Sequence, residues 1–265
     1  MRVFAAAALL AGAAAMLSAG AAQAAAVALV LAVDVSESVS AERYTLQHDG
    51  IARAFETPEL IKAIAEQPGG IEALVLEWSD PEKIAVTVGW THIGNQRSAA
   101  AFAQAVRATK RTSYGLTAIG PAMLAAAAAF KHMPEPAGHR VIDVSGDGMA
   151  NFGVAPVTAR DQLVQAGITI NGLAILSEEP WLDDYYRSNV IGGPSSFCLV
   201  AKDYDSFAEA ILRKMVQEVA ARPAGPIVVA PLDPSPAHRR RSRAAVTFGA
   251  LASRSRGNDG IVQMQ

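Results

Sequence analysis

Cys198 is the only cysteine in this 265-residue chain. That excludes an internal disulfide framework and a Cys-x-x-Cys redox centre. The residue lies in the apolar run Phe197-Cys198-Leu199-Val200 and reads as a buried strand thiol. Charge and aromatics are also sparse, at 18% and 6%, against 51% hydrophobic residues. A chain so apolar buries a large core rather than staying disordered. Positive charge shows no excess, because the formal net charge is −2. Six of the arginines fall in residues 223–265, with two acidic residues, and one more is Arg2. Residues 25–222 are left with 16 basic and 23 acidic side chains, a net of −7. An acidic domain is a poor match for a phosphate backbone, so nucleic acid is not an expected partner.

No internal repeat is visible, and the length suits one medium-sized α/β domain with terminal extras. Residues 1–24 have the form of a secretory leader: Arg2, an apolar stretch from Phe4 to Leu17, then Ala22-Gln23-Ala24 as a small-residue cleavage site. A membrane anchor is the competing reading, since Ala25 to Val33 is also apolar. That run, however, ends in Asp34, and alanines are weakly hydrophobic for a span. The mature protein is therefore expected to start near Ala25 and to be periplasmic or secreted, without a stable membrane span. Residues 223–265 are rich in Pro, Ala, Ser and Arg without periodicity, and read as a mostly disordered basic tail.

Between these ends, strand and helix patterns alternate. Val27–Val33 is a continuous apolar run, as in a parallel strand covered on both faces. Ser40 caps a helix through Phe55, and Pro58–Gln67 is a second. Ile71–Trp78 and Lys83–Trp90 are strands whose four-residue connection requires an antiparallel pair. Helices over Ala99–Thr109 and Ala118–His132 precede a strand over Arg140–Val144. Helix Pro156–Gln165, strand Ile168–Leu176, a helical turn Pro180–Ser188, strand Phe197–Ala201 and an amphipathic helix Asp203–Ala221 complete the series. This order predicts an α/β fold: a doubly wound, mainly parallel sheet with one antiparallel edge strand and helices on both faces.

Three segments carry chemistry. Asp34-Val35-Ser36-Glu37-Ser38 ends the first strand, and in an extended segment alternate side chains share a face. Asp34, Ser36 and Ser38 are thus expected to converge, offering small oxygen donors to a hard cation such as Mg²⁺. The plainer alternative is a helix start at which the serines only cap. Thr112-Ser113-Tyr114-Gly115-Leu116-Thr117 is a polar loop before the alanine-rich helix. Asp143-Val144-Ser145-Gly146-Asp147-Gly148 runs from a strand into a glycine-flanked aspartate. All three lie at strand ends or helix starts, the edge at which open α/β sheets bind ligands.

In these motifs the chain resembles the von Willebrand factor A-like fold and its metal-ion-dependent adhesion site, over about Ala25 to Arg222. It looks most like the exported bacterial branch of such proteins. The resemblance implies that Mg²⁺ or Mn²⁺ is held by Asp34, Ser36, Ser38, Thr117 and Asp147, with the aspartates often acting through water. Thr112 stands near Thr117, which is preferred because it directly precedes the long helix. Asp143 competes with Asp147, but it falls inside the apolar run. The function implied is capture of a protein partner's Asp or Glu carboxylate at an open metal position, with loops around Glu37, Gly115, Met149 and Trp181 selecting the partner. Asn151 also flanks the proposed metal.

The rival class is a metal-dependent phosphoesterase. Phosphatases of the haloacid dehalogenase kind use Asp-x-Asp where this chain has Ser36. A phosphate-binding loop fails because Pro121 stands where Gly115-to-Gly120 spacing would need Lys. No Gly-x-Ser-x-Gly elbow is present. His48, His92, His132 and His139 lack paired metal spacing and read as surface or capping residues. Trp78 reads as core, and Tyr185-Tyr186 as half-buried helix surface.

Overall fold

The computed structural model describes residues 24–134 and 136–221. The proposed leader, apart from Ala24, and the proposed basic tail lie outside them. In chain order the elements are β1 (Ala25–Asp34), α1 (Ala41–Glu56), α2 (Pro58–Ala65), β2 (Ile71–Trp78), β3 (Ile84–Ile93) and α3 (Gln96–Arg107). There follow α4 (Ile119–Ala129) with a short 3₁₀ turn, β4 (Ala137–Gly146), α5 (Pro156–Gln165), β5 (Ile168–Ile175), α6 (Leu182–Asn189), β6 (Cys198–Ala201) and α7 (Phe207–Ala220).

The six strands form one sheet in the order β3-β2-β1-β4-β5-β6. All pairs are parallel except β2–β3, which is antiparallel at the edge. β1 is central, and nine of its ten residues are buried, which is why its sequence is apolar without alternation. Its odd-numbered residues Val27, Leu29, Leu31 and Val33 join Ile51, Phe55, Phe102, Phe207 and Met215 from α1, α3 and α7. Its even-numbered Ala28, Val30 and Ala32 join Met123, Ala159, Leu182 and Tyr186 from α4, α5 and α6. The period of two thus divides one apolar run between two cores, with helices on both faces.

Local signals set several element ends. Ser40 accepts a hydrogen bond from the Arg43 amide at 3.2 Å, and Asn95 with Ser98 forms a capping box at α3. Two strands outrun their apolar cores. β3 continues through Thr91 and His92 because both stay paired with β2, and β4 begins at Ala137 opposite Ala25. Ladder bonds are made by backbone, so a strand can extend into polar sequence while its neighbour continues. α7 starts later than expected, because Asp203 and Ser206 bond each other's amides in a turn at 2.8 and 3.1 Å.

Two residues differ from the sequence reading. His48 is buried rather than at the surface, and its Nε2 meets Glu77 Oε1 at 3.1 Å. Tyr186 is fully buried, whereas neighbouring Tyr185 is half-buried. On a helix lying across a sheet, adjacent residues point about 100° apart, so one of two tyrosines enters the core. Trp78 and Cys198 are buried as expected, and burial pushes the Cys198 thiol up to about 11. Among the described residues, no helix is long and apolar enough to cross a membrane.

Candidate metal centre

The winding of the sheet reverses between β1 and its neighbour β4, and chain connections leave the two strands in opposite directions. The carboxyl edge at such a point opens a crevice. Asp34 is the last residue of β1, and Asp147 follows the last residue of β4. Both are buried, as is Ser36, while Ser38 is exposed. The arrangement is a polar floor with an open mouth.

Asp34, Ser36 and Ser38 do converge, although not by strand alternation. β1 stops at Asp34, whose Oδ1 accepts the Ser36 amide at 2.8 Å. The Val39 amide then donates to the Ser36 carbonyl at 3.0 Å, closing a turn. An aspartate bonding the amide two residues on is a common way for a strand to end. The turn places Ser36 Oγ 3.3 Å from Ser38 Oγ, and Ser38 Oγ donates to Asp147 Oδ1 at 2.6 Å. Four of the five expected ligands therefore form one cluster from two strand ends.

Thr117 is positioned through its backbone. Its amide donates to Asn151 Oδ1 at 2.8 Å, and its carbonyl accepts the Asn151 amide at 3.0 Å, which ties it to the loop after Asp147. Two residues earlier, the Gly115 carbonyl accepts the Glu37 amide at 2.9 Å and ties the loop to the serine turn. Gly115 has φ +141°, and a Cβ there would collide with the Asp80 carboxylate, which itself accepts the Leu116 amide at 2.6 Å. Thr117 shares no direct hydrogen bond with the other four among the described residues. Thr112 is committed elsewhere: its amide and hydroxyl donate to Glu77 Oε2 at 2.9 and 2.8 Å. Asp143 lies inside β4 and faces Lys214 Nζ at 2.6 Å, away from the cluster.

The electrostatics fit a cation. Burial, and then the nearby charge of Asp147, push the Asp34 carboxyl up to about 7, against opposing hydrogen bonds from Ser36 and the Asp147 backbone. Asp34 Oδ2 is buried without a hydrogen-bond partner of good geometry. An unpartnered buried carboxylate oxygen beside a second carboxylate is unfavourable in the protein alone, and a divalent ion would satisfy it. The donor set of two carboxylates and hydroxyls suits hard, oxygen-preferring ions. It is also why, among the described residues, no group of three or more His, Cys, Asp or Glu gathers as a metal cluster. Gly146 lets the strands approach here, since a Cβ on it would lie 2.7 Å from Asp34 Oδ2 and 2.8 Å from the Tyr186 hydroxyl.

Several residues that sequence reasoning did not single out complete the surroundings. Tyr204 donates its hydroxyl to Asp147 Oδ2 at 2.9 Å, and burial beside Asp147 holds that phenol far above its usual range. Arg43 from α1 donates Nη1 to the Ser38 carbonyl at 2.9 Å, lies 3.5 Å from Asp147 Oδ2, and donates Nη2 to Glu178 at 2.6 Å. Glu179 is raised by burial and by Asp147, and its Oε2 is buried without a partner. Arg111 donates to the carbonyls of Val35, Ser36, Val39 and Ser113 at 2.5–2.9 Å, clamping the serine turn to the threonine loop. Nothing in their local spacing marks them, because each acts on a segment distant in sequence.

The topology and this edge define a von Willebrand factor A-like fold, and solved structures agree. A proximal thread matrix protein 1 from mussel byssus, solved with a zinc-occupied MIDAS motif, matches with TM-score 0.52 and 17% identity over 74% of this chain and 46% of that chain. The pilus adhesin SpaC of Lactobacillus rhamnosus GG matches with TM-score 0.55 and 13% identity, over 74% and 30%. The vWF domain of the type V pili tip protein Mfa5 from Porphyromonas gingivalis matches with TM-score 0.51 and 8% identity, over 74% and 95%. The match spans about half the length of the byssus proteins. By its sequence the chain belongs to the family described as "Protein of unknown function (DUF1194)", whose model matches residues 24–223. A comparison with curated protein sequences gives no match.

Proposed function

We propose that this protein is a metal-ion-dependent protein-binding module of the cell envelope, periplasmic or secreted. Mg²⁺ or Mn²⁺ would be held by Asp34, Ser36, Ser38, Thr117 and Asp147, with an acidic group of a partner completing the shell. The observation that carries this reading is the rim of the crevice. Tyr114, Leu116, Met149, Phe152 and Trp181 are five of the six large hydrophobic residues exposed among the described residues. They sit on the three loops that also carry Thr117, Asp147 and Glu179. Exposed aromatics and Met around a small polar centre are the composition of a protein-docking surface. The adhesin and pilus-tip neighbours are consistent with a protein partner, and the byssus protein with a divalent ion at such an edge.

The ion would supply positive charge at the crevice floor, and the chain's own residues would do the rest. Asp34 and Asp147 bring two negative charges and the hydroxyls bring none, so net positive charge would face the partner. Arg43 and Arg111 fix the serine turn, and the rim residues provide shape and apolar contact. The acidic domain repels acidic partners without the ion, so binding is expected to be metal-gated.

The test is Ser36→Ala with Ser38→Ala, compared with wild type by Mn²⁺ calorimetry and by capture from an envelope extract in Mg²⁺ or chelator. The double variant should keep its fold, lose most metal affinity and capture nothing. Equal metal affinity in both proteins, or capture that persists in chelator, would refute the reading.

A further inference from the structure

Within β4, on the face covered by α7, three charged side chains meet in the core. Lys214 on α7, Asp143 on β4 and Glu218 one helical turn beyond Lys214 are all buried. Lys214 Nζ lies 2.6 Å from Asp143 Oδ1 and 2.5 Å from Glu218 Oε1. The Phe197 ring covers the amine at 5.3 Å. Neither oxygen of Asp143 has a hydrogen-bond partner of good geometry, despite its burial. Asn171 Nδ2 donates to Glu218 Oε1 at 2.8 Å and fixes that carboxylate, while Asn171 Oδ1 accepts the Phe197 amide at 3.1 Å.

We propose that Lys214 and Asp143 become joined in the folded chain by an isopeptide bond between Lys214 Nζ and the Asp143 side-chain carbonyl, with Glu218 as the proton acceptor. Amide formation needs a neutral amine, a protonated carboxyl group and exclusion of water. Burial lowers the Lys214 amine but Asp143 and Glu218 together hold it above its ordinary value, so the step depends on Glu218, in contact with Nζ, taking the proton. Burial raises the Asp143 carboxyl above its ordinary value, with Lys214 opposing and Glu218 adding to the rise, which favours its protonated form. The Lys214 ammonium would pass one proton to the Glu218 carboxylate. The free amine then attacks the Asp143 carbonyl carbon, forming the C–N bond. The carboxyl hydroxyl leaves with a proton from nitrogen as water, and Glu218 ends protonated. One ammonium, one carboxylic acid and one carboxylate become an amide, a water and a carboxylic acid, so atoms and charge balance.

Proximity and electrostatics both favour the step. Burial holds the Lys214 amine against the Asp143 carboxyl, with Nζ 2.6 Å from Oδ1, and keeping two reacting groups together is what gives intramolecular reactions their large effective molarity. A buried ion pair repays its desolvation poorly, and here one cation faces two carboxylates. The amide removes the ammonium and leaves no charge on its partners. A cavity of about 20 Å³, lined by Asn171, Phe197, Glu218 and His139, adjoins the cluster. That volume accommodates about one water, the product to be expelled. The bond would staple the centre of the sheet to the last helix.

Tryptic digestion of the full-length protein with tandem mass spectrometry decides the matter. The expected product is a branched peptide joining the Asp143 segment to the Lys214 segment, lighter by one water than the two together, with no cleavage after Lys214. Lys214→Arg should give only linear peptides. Glu218→Gln should leave the pair unlinked in a chain that circular dichroism shows to be folded. Wild type yielding only linear peptides, with cleavage after Lys214, would overturn the proposal even if both variants misfold. Linking in Glu218→Gln to the wild-type extent would overturn the role of Glu218.

Discussion

Replacing Asp34 by Asn separates the stability of the crevice from its proposed use. In the metal-free protein Asp34 is buried, and its carboxyl is raised from 3.8 to about 7, by burial first and Asp147 second. A carboxyl raised on folding contributes its stability below the unfolded value and loses it as pH climbs through the folded value. At about pH 8 the ionised group therefore costs the native state up to about 4 kcal/mol, at roughly 1.4 kcal/mol for each tenfold change in the proton equilibrium. By about pH 5 most native molecules hold the proton, and the same arithmetic leaves less than half of that cost. Asn keeps the shape, and its Oδ1 can still accept the Ser36 amide. In chelator at about pH 8, Asp34→Asn should thus be more stable than wild type by on the order of 1–4 kcal/mol, after allowance for relaxation around the charge. For a domain of this size that is about 2–4 °C in Tm for each kcal/mol, and the difference should shrink at about pH 5. Added Mg²⁺ or Mn²⁺ should raise the Tm of wild type by mass action and leave the variant unmoved. Calorimetric scans at the two pH values, with and without metal, check all of this. A variant no more stable than wild type in chelator at the higher pH, or stabilised equally by metal, would refute the account of Asp34.

Two other substitutions test the surroundings. Gly146→Ala should destabilise the protein by about 1–3 kcal/mol in denaturant titrations and weaken Mn²⁺ binding, because its Cβ would press on Asp34 Oδ2 and the Tyr186 hydroxyl. An unchanged midpoint would show that the strands have room to separate. Arg43→Gln should tighten Mn²⁺ binding by about fivefold, near 1 kcal/mol, because it removes a guanidinium 3.5 Å from Asp147 Oδ2. Calorimetry showing unchanged or weaker binding would mean that Arg43 serves mainly to hold the Ser38 carbonyl.

The sequence alone determined what depends on nearest neighbours along the chain. The apolar run of β1 and the Ser40 cap follow from local sterics and hydrogen bonding, and so does the short Ser79–Glu82 link that forces β2 and β3 antiparallel. So does the alternation of strand and helix patterns, from which the α/β class was legible, and with it the location of the three polar segments at strand ends or helix starts. Tertiary structure decided everything that turns on a partner distant in sequence. Thr112 and Thr117 share one polar loop, and sequence separates them only by the place of Thr117 before the long helix; packing decides that Glu77 engages the first and Asn151 positions the second. His48 reads as a surface residue until β2 brings Glu77 to it, and Tyr186 until α6 lies on the sheet. Arg43 looks like an ordinary first-turn residue, and only the approach of α1 to the β4 edge makes it a neighbour of Asp147. Lys214 and Glu218 carry no local mark of their partner, and only packing of α7 over β4 brings Asp143 to them. Local sequence selects the element. Which faces are buried, and which charges must then find one another, is fixed by the packing of the whole sheet.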